Sequence, residues 1–394
     1  MNIHASTIEA SDDPLQLGTD PIPAAYYYDP DWFELERKAV FMRSWLNIGH
    51  VCELPEPGSF FRREIEFAGA SLLVVRGKDG EIRAFHNVCT HRGTKLTSED
   101  CGRKASFTCP YHAWTFGSDG NLLSAPDFER FYASKDELSL KQVAVDVCGG
   151  LLFICFDPQQ SLPDYLGIFA DRLEQVATAQ ATTFHEYAYE IDANWKVTYD
   201  NFQENYHLRF IHPNTSKAAT SGDDPFGYPL SVTFSGRHRM QVLGDPDVNL
   251  LTPMTMVSGG RMMPNLMASG LLELPDPRDY LALFPSFFML CNPGSNFLHT
   301  VMPISATRSR GVVRIYWKGD SDGASTLFGR EYTMAVNRDV HTEDLGVIQL
   351  CQQGLSSGAL EHVHLQEKEV MLRHLIEVVK EDVAAYQAEV EAGA

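Results

Sequence analysis

From Val51 to Phe156 the apolar positions fall in short β-branched and aromatic runs broken by glycine. Ser71–Val75 is one such run; Asp79-Gly80 turns it back into Ile82–Phe85, and Asp119-Gly120 marks a further hairpin. The spacing predicts a small all-β domain. Elsewhere the period lengthens. Pro30–Arg43 reads as a helix, with Asp29 placed to cap it and Pro30 in its first turn. Pro163–Ala181 reads as a second helix, and Asn194–Pro213 as a third with Asn194 at its N-cap. Leu230–Lys318 is sheet-like, and helices are expected over Gly329–Cys351 and from Leu360 to the end. Helices flanking an antiparallel sheet make the class α+β. The expected division is an N-terminal segment, 1–45, packing on the last domain; a β domain, 46–157; and a second domain, 158–394.

At 394 residues the chain can bury a substantial core. Its net charge of −20 argues against a nucleic-acid partner. No run of roughly 18 apolar residues occurs, so no membrane-spanning helix is expected. Met1–Asp20 is polar and acidic and lacks the basic start of a secretory signal, which makes the cytoplasm the expected location. Six of the eight cysteines, Cys52, Cys101, Cys148, Cys155, Cys291 and Cys351, read as thiols in that setting.

The other two cysteines belong to the first of two tight clusters. Cys89-Thr90-His91 is followed, seventeen residues on, by Cys109-Pro110-Tyr111-His112. Two thiolates and two imidazoles suit zinc, or a [2Fe–2S] centre in which histidines replace two cysteines on one iron. A zinc finger usually gathers its cysteines in one knuckle and its histidines in another. Here each knuckle supplies one of each, so two loops can close on a binuclear cluster. A Cys2His2 zinc site is the competing reading. Arg92, Lys95, Arg103 and Lys104 surround these loops and could form a basic landing patch for an acidic electron donor, or an ordinary charged surface.

The second cluster is Asn201-Phe202-Gln203-Glu204-Asn205-Tyr206-His207, with His212-Pro213 behind it. Asn201, Glu204 and His207 fall close to one helix face. His212 lies roughly 140° round a regular helix from His207, so a shared metal requires a bulge or unwound turn between them, and Pro213 disfavours α geometry at His212. Two histidines and a carboxylate make the facial triad of non-haem Fe(II) oxygenases, which leaves positions open for O2. The candidate carboxylate is Asp344; Glu343 and His341 compete, and a buried core role is favoured for His341.

Cys89-Thr90-His91-Arg92-Gly93 and Cys109-Pro110-Tyr111-His112-Ala113-Trp114 resemble the ligand loops of Rieske iron–sulfur domains. That family most often has glycine where Ala113 stands. Asn201, Glu204, His207 and His212, with Glu343-Asp344 and Gln352-Gln353-Gly354-Leu355, resemble the catalytic motif of Rieske non-haem iron ring-hydroxylating oxygenases, α subunit. The resemblance implies a Rieske domain beside a helix-flanked antiparallel-sheet catalytic domain of the SRPBCC (Bet v1-like) type. It implies that Cys89, His91, Cys109 and His112 hold a [2Fe–2S] cluster, and that His207, His212 and Asp344 hold a mononuclear Fe(II) that activates O2. Asn201 and Glu204 would serve catalysis, Glu204 as the acidic bridge between two centres across a subunit boundary in a head-to-tail homotrimer. Electrons from NAD(P)H would arrive through a separate reductase, with or without a ferredoxin; no dinucleotide fingerprint is visible in this chain.

Within the resemblance, Glu204 points to the monooxygenase and demethylase branch, which includes choline- and carnitine-type members whose quaternary ammonium substrates need an aromatic or acidic cage. Arene cis-dihydroxylation is the alternative, and a purely electron-transferring Rieske protein is the non-enzymatic one. Between Thr252 and Phe297 the chain is rich in methionine and phenylalanine, Met262, Met263 and Met267 among them, which reads either as ordinary core plus a loop or as a lid or wall over a hydrophobic, aromatic substrate, with Gly259-Gly260 supplying flexibility. The pocket candidates are Phe202, Phe210, Met254, Met256, Phe284, Phe288 and Phe297.

Overall fold

The structure, a computed structural model, describes residues 6–9, 17–176, 179, 181–215, 217, 225–244, 248–251, 253–258, 279–291, 294–318 and 323–393. The chain divides into two compact units, Met42–Tyr165 and Met1–Phe41 with Leu166–Ala394. The crossings fall at 41/42 and 165/166, beside the expected 45 and 157. Among the described residues no helix is long and apolar enough to cross a membrane.

The Met42–Tyr165 unit is built of β-strands, with three short 3-10 turns and a helix that begins at Leu162. Seven antiparallel strands run in the order Leu46–His50, Leu151–Cys155, Gln142–Cys148, Ile82–His86, Ala70–Arg76, Ser59–Ile65 and Cys101–Arg103. A second sheet holds Leu122–Ser124, Thr115–Gly117 and Ser106–Thr108. The Asp79-Gly80 turn joins Ala70–Arg76 to Ile82–His86, with Gly80 in the left-handed region (φ +87°). Phe60, Phe85, Phe107, Trp114 and Phe116 fill the core, and Cys89 and Cys109 are buried in the same cluster.

The other unit is built on an eight-stranded antiparallel sheet in the order Ser6–Glu9, Ser231–Ser235, His238–Val242, Asp279–Leu283, Phe287–Cys291, Ser295–Ser305, Arg308–Lys318 and Ala181–Ile191. Helices α1 (Pro30–Glu36), α2 (Leu162–Leu166), α3 (Ile168–Gln175), α4 (Trp195–Asp200), α5 (Leu208–Ile211), α6 (Ala324–Ser356) and α7 (Val370–Gly393) follow the chain. Asp29 caps α1, accepting the N–H of Asp31 at 2.7 Å and of Trp32 at 3.3 Å. The expected helix to Arg43 is α-helical only to Glu36; a π-helical turn, Arg37–Phe41, follows and buries Ala39, Val40 and Phe41.

Three further expected elements differ here. The helix over 163–181 is two short helices, because Gly167 (φ +54°, ψ −131°) breaks it and the chain then enters the strand Ala181–Ile191. The helix expected over 329–351 extends to Ala324–Ser356. The C-terminal helix starts at Val370, not Leu360: beyond α6, Gly358 takes φ +75° and His362–Val363 pairs with Ile22–Pro23. That pairing helps seat the N-terminal segment, whose Ile22, Ala24 and Tyr27 pack with Val197, Ile348, Leu355 and Ile376.

Candidate metal centres

In the β unit, both cysteine loops use the same backbone device. Cys89 N–H donates to Thr94 O (2.8 Å) and Gly93 N–H to Cys89 O (3.0 Å); Cys109 N–H donates to Trp114 O (2.7 Å) and Ala113 N–H to Cys109 O (3.0 Å). The loop therefore closes on each cysteine, and the residue four places on must adopt positive φ: Gly93 at +78°, Ala113 at +57°. Glycine adopts this conformation freely, whereas an L side chain pays roughly 1–2 kcal/mol. This is the physical reason a glycine suits position 113. Ala113→Gly should raise holoprotein stability by about 1 kcal/mol, read in thermal unfolding; a lower midpoint would contradict the strain.

The thiols of Cys89 and Cys109 form a buried pair, and burial, then the neighbouring thiol, pushes Cys89 above the ordinary thiol range. The imidazoles form a second, half-exposed pair with ring centroids 4.7 Å apart. His91 stacks on Trp114 at 4.8 Å and Tyr111 on His112 at 3.7 Å, which fixes both rings. His91 Nδ1 is buried with no hydrogen-bond partner. Ligands sorted into a thiol pair and an imidazole pair fit a binuclear cluster. Among the described residues, the group of three or more such side chains whose ligand atoms converge as on a single ion lies elsewhere, at His207, His212 and Asp344.

The basic side chains around these loops are largely ion-paired: Lys95 with Glu64 (2.9 Å), Lys104 with Glu99 (2.7 Å) and Arg103 with Glu56 (3.2 Å), while Arg92 lies over the Tyr111 ring (5.0 Å). Their charge is neutralised locally, so the ordinary solvated surface is the better account of the candidate patch.

In the other unit, Asn194 caps α4 through Lys196 N–H (2.8 Å). The expected single helix ends at Asp200. Residues 201–207 are irregular and α5 then makes one turn, with His207 at its N-cap and His212 at its C-cap. The break thus falls before His207 and not between the histidines. His212 leaves α geometry (φ −114°, ψ 46°), which replaces the expected bulge as the means of turning its ring toward His207.

Asp344, buried on α6, completes the site. Its Oδ1 lies 2.9 Å from His212 Nε2 and 3.7 Å from His207 Nε2, and the three ligand atoms fall within 4.8 Å of one another. The far nitrogens decide the tautomers. His207 Nδ1 is bonded to Glu204, and His212 Nδ1 lies 2.7 Å from Glu343, which also accepts the Thr215 hydroxyl at 2.7 Å. A proton on each Nδ1 leaves each Nε2 lone pair facing the Asp344 carboxylate. Two lone pairs and an anion converge on a point that only a cation can occupy at low cost. Burial opposes charge on the His212 ring, yet Asp344 and Glu343 outweigh it and raise its pKa. Nitrogen and oxygen donors in this ratio suit a non-haem iron.

Sequence reasoning placed Glu343 as a rival ligand; the structure makes it the outer partner of His212. His341 is buried and bonded to the Tyr187 hydroxyl at 3.1 Å. Asn201 follows α4 directly, and its Nδ2 is buried without a partner. Glu36 and Lys196, which the sequence did not single out, form a fully buried ion pair under α4.

Comparison with known proteins agrees with this geometry. The family model for the Rieske [2Fe-2S] domain matches residues 44–145, and that for the ring hydroxylating alpha subunit (catalytic domain) matches 178–385. The chain belongs to the ring-hydroxylating α-subunit family. A glycine betaine monooxygenase oxygenase subunit of Pseudomonas aeruginosa is 28% identical to this α subunit over 86% of the chain and 83% of its own length. A carnitine monooxygenase oxygenase subunit of Acinetobacter baumannii is 37% identical over 48% of the chain; the match spans about half of that relative, 52%. A solved quaternary ammonium Rieske monooxygenase superposes with a TM-score of 0.77 at 25% identity, covering 94% of this chain and 97% of the other.

Beside the mononuclear site this α subunit carries a ring cluster. Phe202 lies 4.3 Å from His299, 5.2 Å from His341 and 5.9 Å from Phe288, centroid to centroid, and Phe288 lies 6.3 Å from Phe297. Of the pocket candidates, Phe202, Phe288 and Phe297 come together here. Phe284 is buried in the turn after Asp279–Leu283, its N–H on His238 Nδ1 at 3.0 Å. Phe210, Met254 and Met256 are exposed, at 63%, 47% and 58%, and so do not line a buried wall within this chain. Met262, Met263, Met267 and Gly259-Gly260 lie outside the described residues.

Proposed function

We propose that this chain is the terminal oxygenase of a multicomponent monooxygenase. It takes electrons that originate in NAD(P)H through a separate reductase, with or without a ferredoxin, and inserts oxygen into a small molecule, including oxidative removal of a methyl group. The supporting observation is the convergence of His207 Nε2, His212 Nε2 and Asp344 Oδ1 beside an aromatic wall. When bound, the cluster supplies single electrons and the mononuclear iron supplies O2 activation. The protein's own part is to fix tautomers and exclude water. Glu204 and Glu343 hold the Nδ1 protons, which aims both Nε2 lone pairs at the metal, and the Phe202 cluster lines the space beside it.

The first substrate reading is a quaternary ammonium compound. Two named relatives act on such compounds, and ring faces such as Phe202 and Phe288 attract a methylammonium cation. The expected neutral aromatic substrate is the second reading. It rested largely on the Met/Phe stretch, and the described methionines at its start are exposed. Assay of the reconstituted system with glycine betaine, carnitine and N- or O-methylated arenes, following NADH oxidation and formaldehyde release, separates these readings. Absence of substrate-dependent O2 uptake with every compound would refute the oxygenase proposal.

We place Glu204 between the two kinds of centre in a ring of subunits, one copy's cluster feeding its neighbour's iron. Glu204→Gln keeps an acceptor for His207 Nδ1 but loses its charge. It should therefore fold and bind both metals while slowing cluster oxidation by about tenfold or more. Single-turnover kinetics with an unchanged rate of cluster oxidation would remove this role.

A further inference from the structure

Two histidines in the ring cluster have spare hydrogen-bonding capacity. His299, on Ser295–Ser305, is 0% exposed and His341, on α6, is 3% exposed. His341 stands three residues before Asp344 on the same helix face, so it sits close to the mononuclear site. Each ring has one bonded nitrogen. His299 Nε2 lies 2.8 Å from the Tyr189 hydroxyl, and His341 Nδ1 lies 3.1 Å from the Tyr187 hydroxyl. The other two, His299 Nδ1 and His341 Nε2, are buried without a partner. Their rings are 5.3 Å apart, with Phe202 against both and Tyr189 packed on His341 at 4.6 Å.

The tautomers follow from counting protons. Burial pushes His299 well below the ordinary histidine range and His341 down to about 4, so both rings are neutral with one N–H each. If the tyrosine donates, the only group left over is the far N–H. If the imidazole donates to the tyrosine, both the phenol O–H and the far nitrogen are left over. The first arrangement strands fewer groups and is favoured. The fold also builds it in. Tyr187 and Tyr189 alternate onto one face of Ala181–Ile191. Tyr189 pairs in register with Gly311, where a Cβ would come within 2.1 Å of the tyrosine ring, so only glycine lets that ring lie across the strand.

We propose that His299 Nδ1–H and His341 Nε2–H recognise an oxygen of the substrate, so that this α subunit selects molecules bearing a carbonyl or carboxylate acceptor on the body that packs against Phe202. Tyr187 and Tyr189 are positioning residues that keep both imidazoles as donors. The proposal deepens the functional reading above and rests on it for the location of the substrate. It excludes a bare hydrocarbon or a simple tetraalkylammonium ion as the preferred ligand, because either would leave both donors unpaired.

The test uses matched probes on the metal-loaded protein under anaerobic conditions, with affinity read by calorimetry. Acetophenone is compared with α-methylstyrene, and γ-butyrobetaine with butyltrimethylammonium; each pair differs chiefly in its oxygen. In at least one pair the oxygen-bearing member should bind about tenfold tighter or more. His299→Phe and His341→Phe, which keep a ring in place, should each erode that preference, and Tyr189→Phe should weaken it while leaving the oxygen-free probe unaffected. Equal affinity within both pairs would overturn the proposal, as would a preference that survives in the histidine variants or failure of all four probes to bind at millimolar concentration. Binding needs no turnover, so the outcomes separate: the expected preference without oxidation of any bound probe would count against the oxygenase reading and leave the recognition site standing.

Discussion

Asp344→Ala should abolish substrate-dependent O2 uptake, by more than roughly 100-fold, while leaving the visible spectrum of the cluster intact. Replacing an outer partner of a metal ligand typically costs 10–100-fold, and Asp344 is itself the anion on which both Nε2 atoms converge. His207→Ala and His212→Ala should behave alike, because α5 holds the two histidines one turn apart and neither can replace the other. Glu343→Gln is the informative contrast. Its amide oxygen can still accept the His212 Nδ1 proton, so iron affinity should fall tenfold or less. The assays are iron content, the cluster spectrum and O2 uptake on the same samples. Normal turnover in Asp344→Ala together with loss in Glu343→Gln would move the ligand by one residue.

Some of this site was legible in the sequence because metal ligation writes local patterns. The mixed Cys/His knuckles and the two histidines ahead of Pro213 declare themselves at short range. Asp344 does not: nothing near it marks it as a ligand, and it could be put forward only with Glu343 and His341 as open competitors. The structure separates the neighbours by helix geometry, since adjacent residues on α6 point about 100° apart. One carboxylate then reaches the metal side of His212 and the other its outer nitrogen.

Where the sequence misled, tertiary context overrode a local signal. The α4 pattern carries on past Asp200 as readily as it stops there, so the irregular stretch 201–207 had no local mark. Ala181–Ile191, by contrast, alternates partly buried and exposed positions from His185 onward as a strand should, yet beyond Ala181, where the expected helix ended, it had been given no element. Tyr187, Tyr189 and His299 were invisible for another reason. Their meaning lies in which nitrogen is left unbonded, which only packing decides.

A second large effect is expected beneath the metal-bearing segment. Lys196 Nζ lies 2.6 Å from Glu36 Oε1, and both residues are 0% exposed. Glu36 also accepts the indole N–H of Trp32 at 2.6 Å and of Trp195 at 2.9 Å. Burial pulls the Lys196 pKa down, and Glu36 works against that pull. The pair joins α1 to the first turn of α4, and α4 leads into the 201–207 stretch that sets His207. Lys196→Met would leave the Glu36 carboxylate in the core without its counter-charge. The expected cost is about 3–5 kcal/mol, as for other broken buried pairs, measured as a lower denaturant midpoint. Iron occupancy should fall with it, because α4 would lose its anchor. Adding Glu36→Gln to Lys196→Met removes the stranded charge and should restore part of the loss, since a buried pair replaced on both sides is often close to neutral. A single variant within 0.5 kcal/mol of the parent would show that the pair does not hold α4, and a double variant no better than the single would show that the loss comes from packing and not from the unpaired carboxylate.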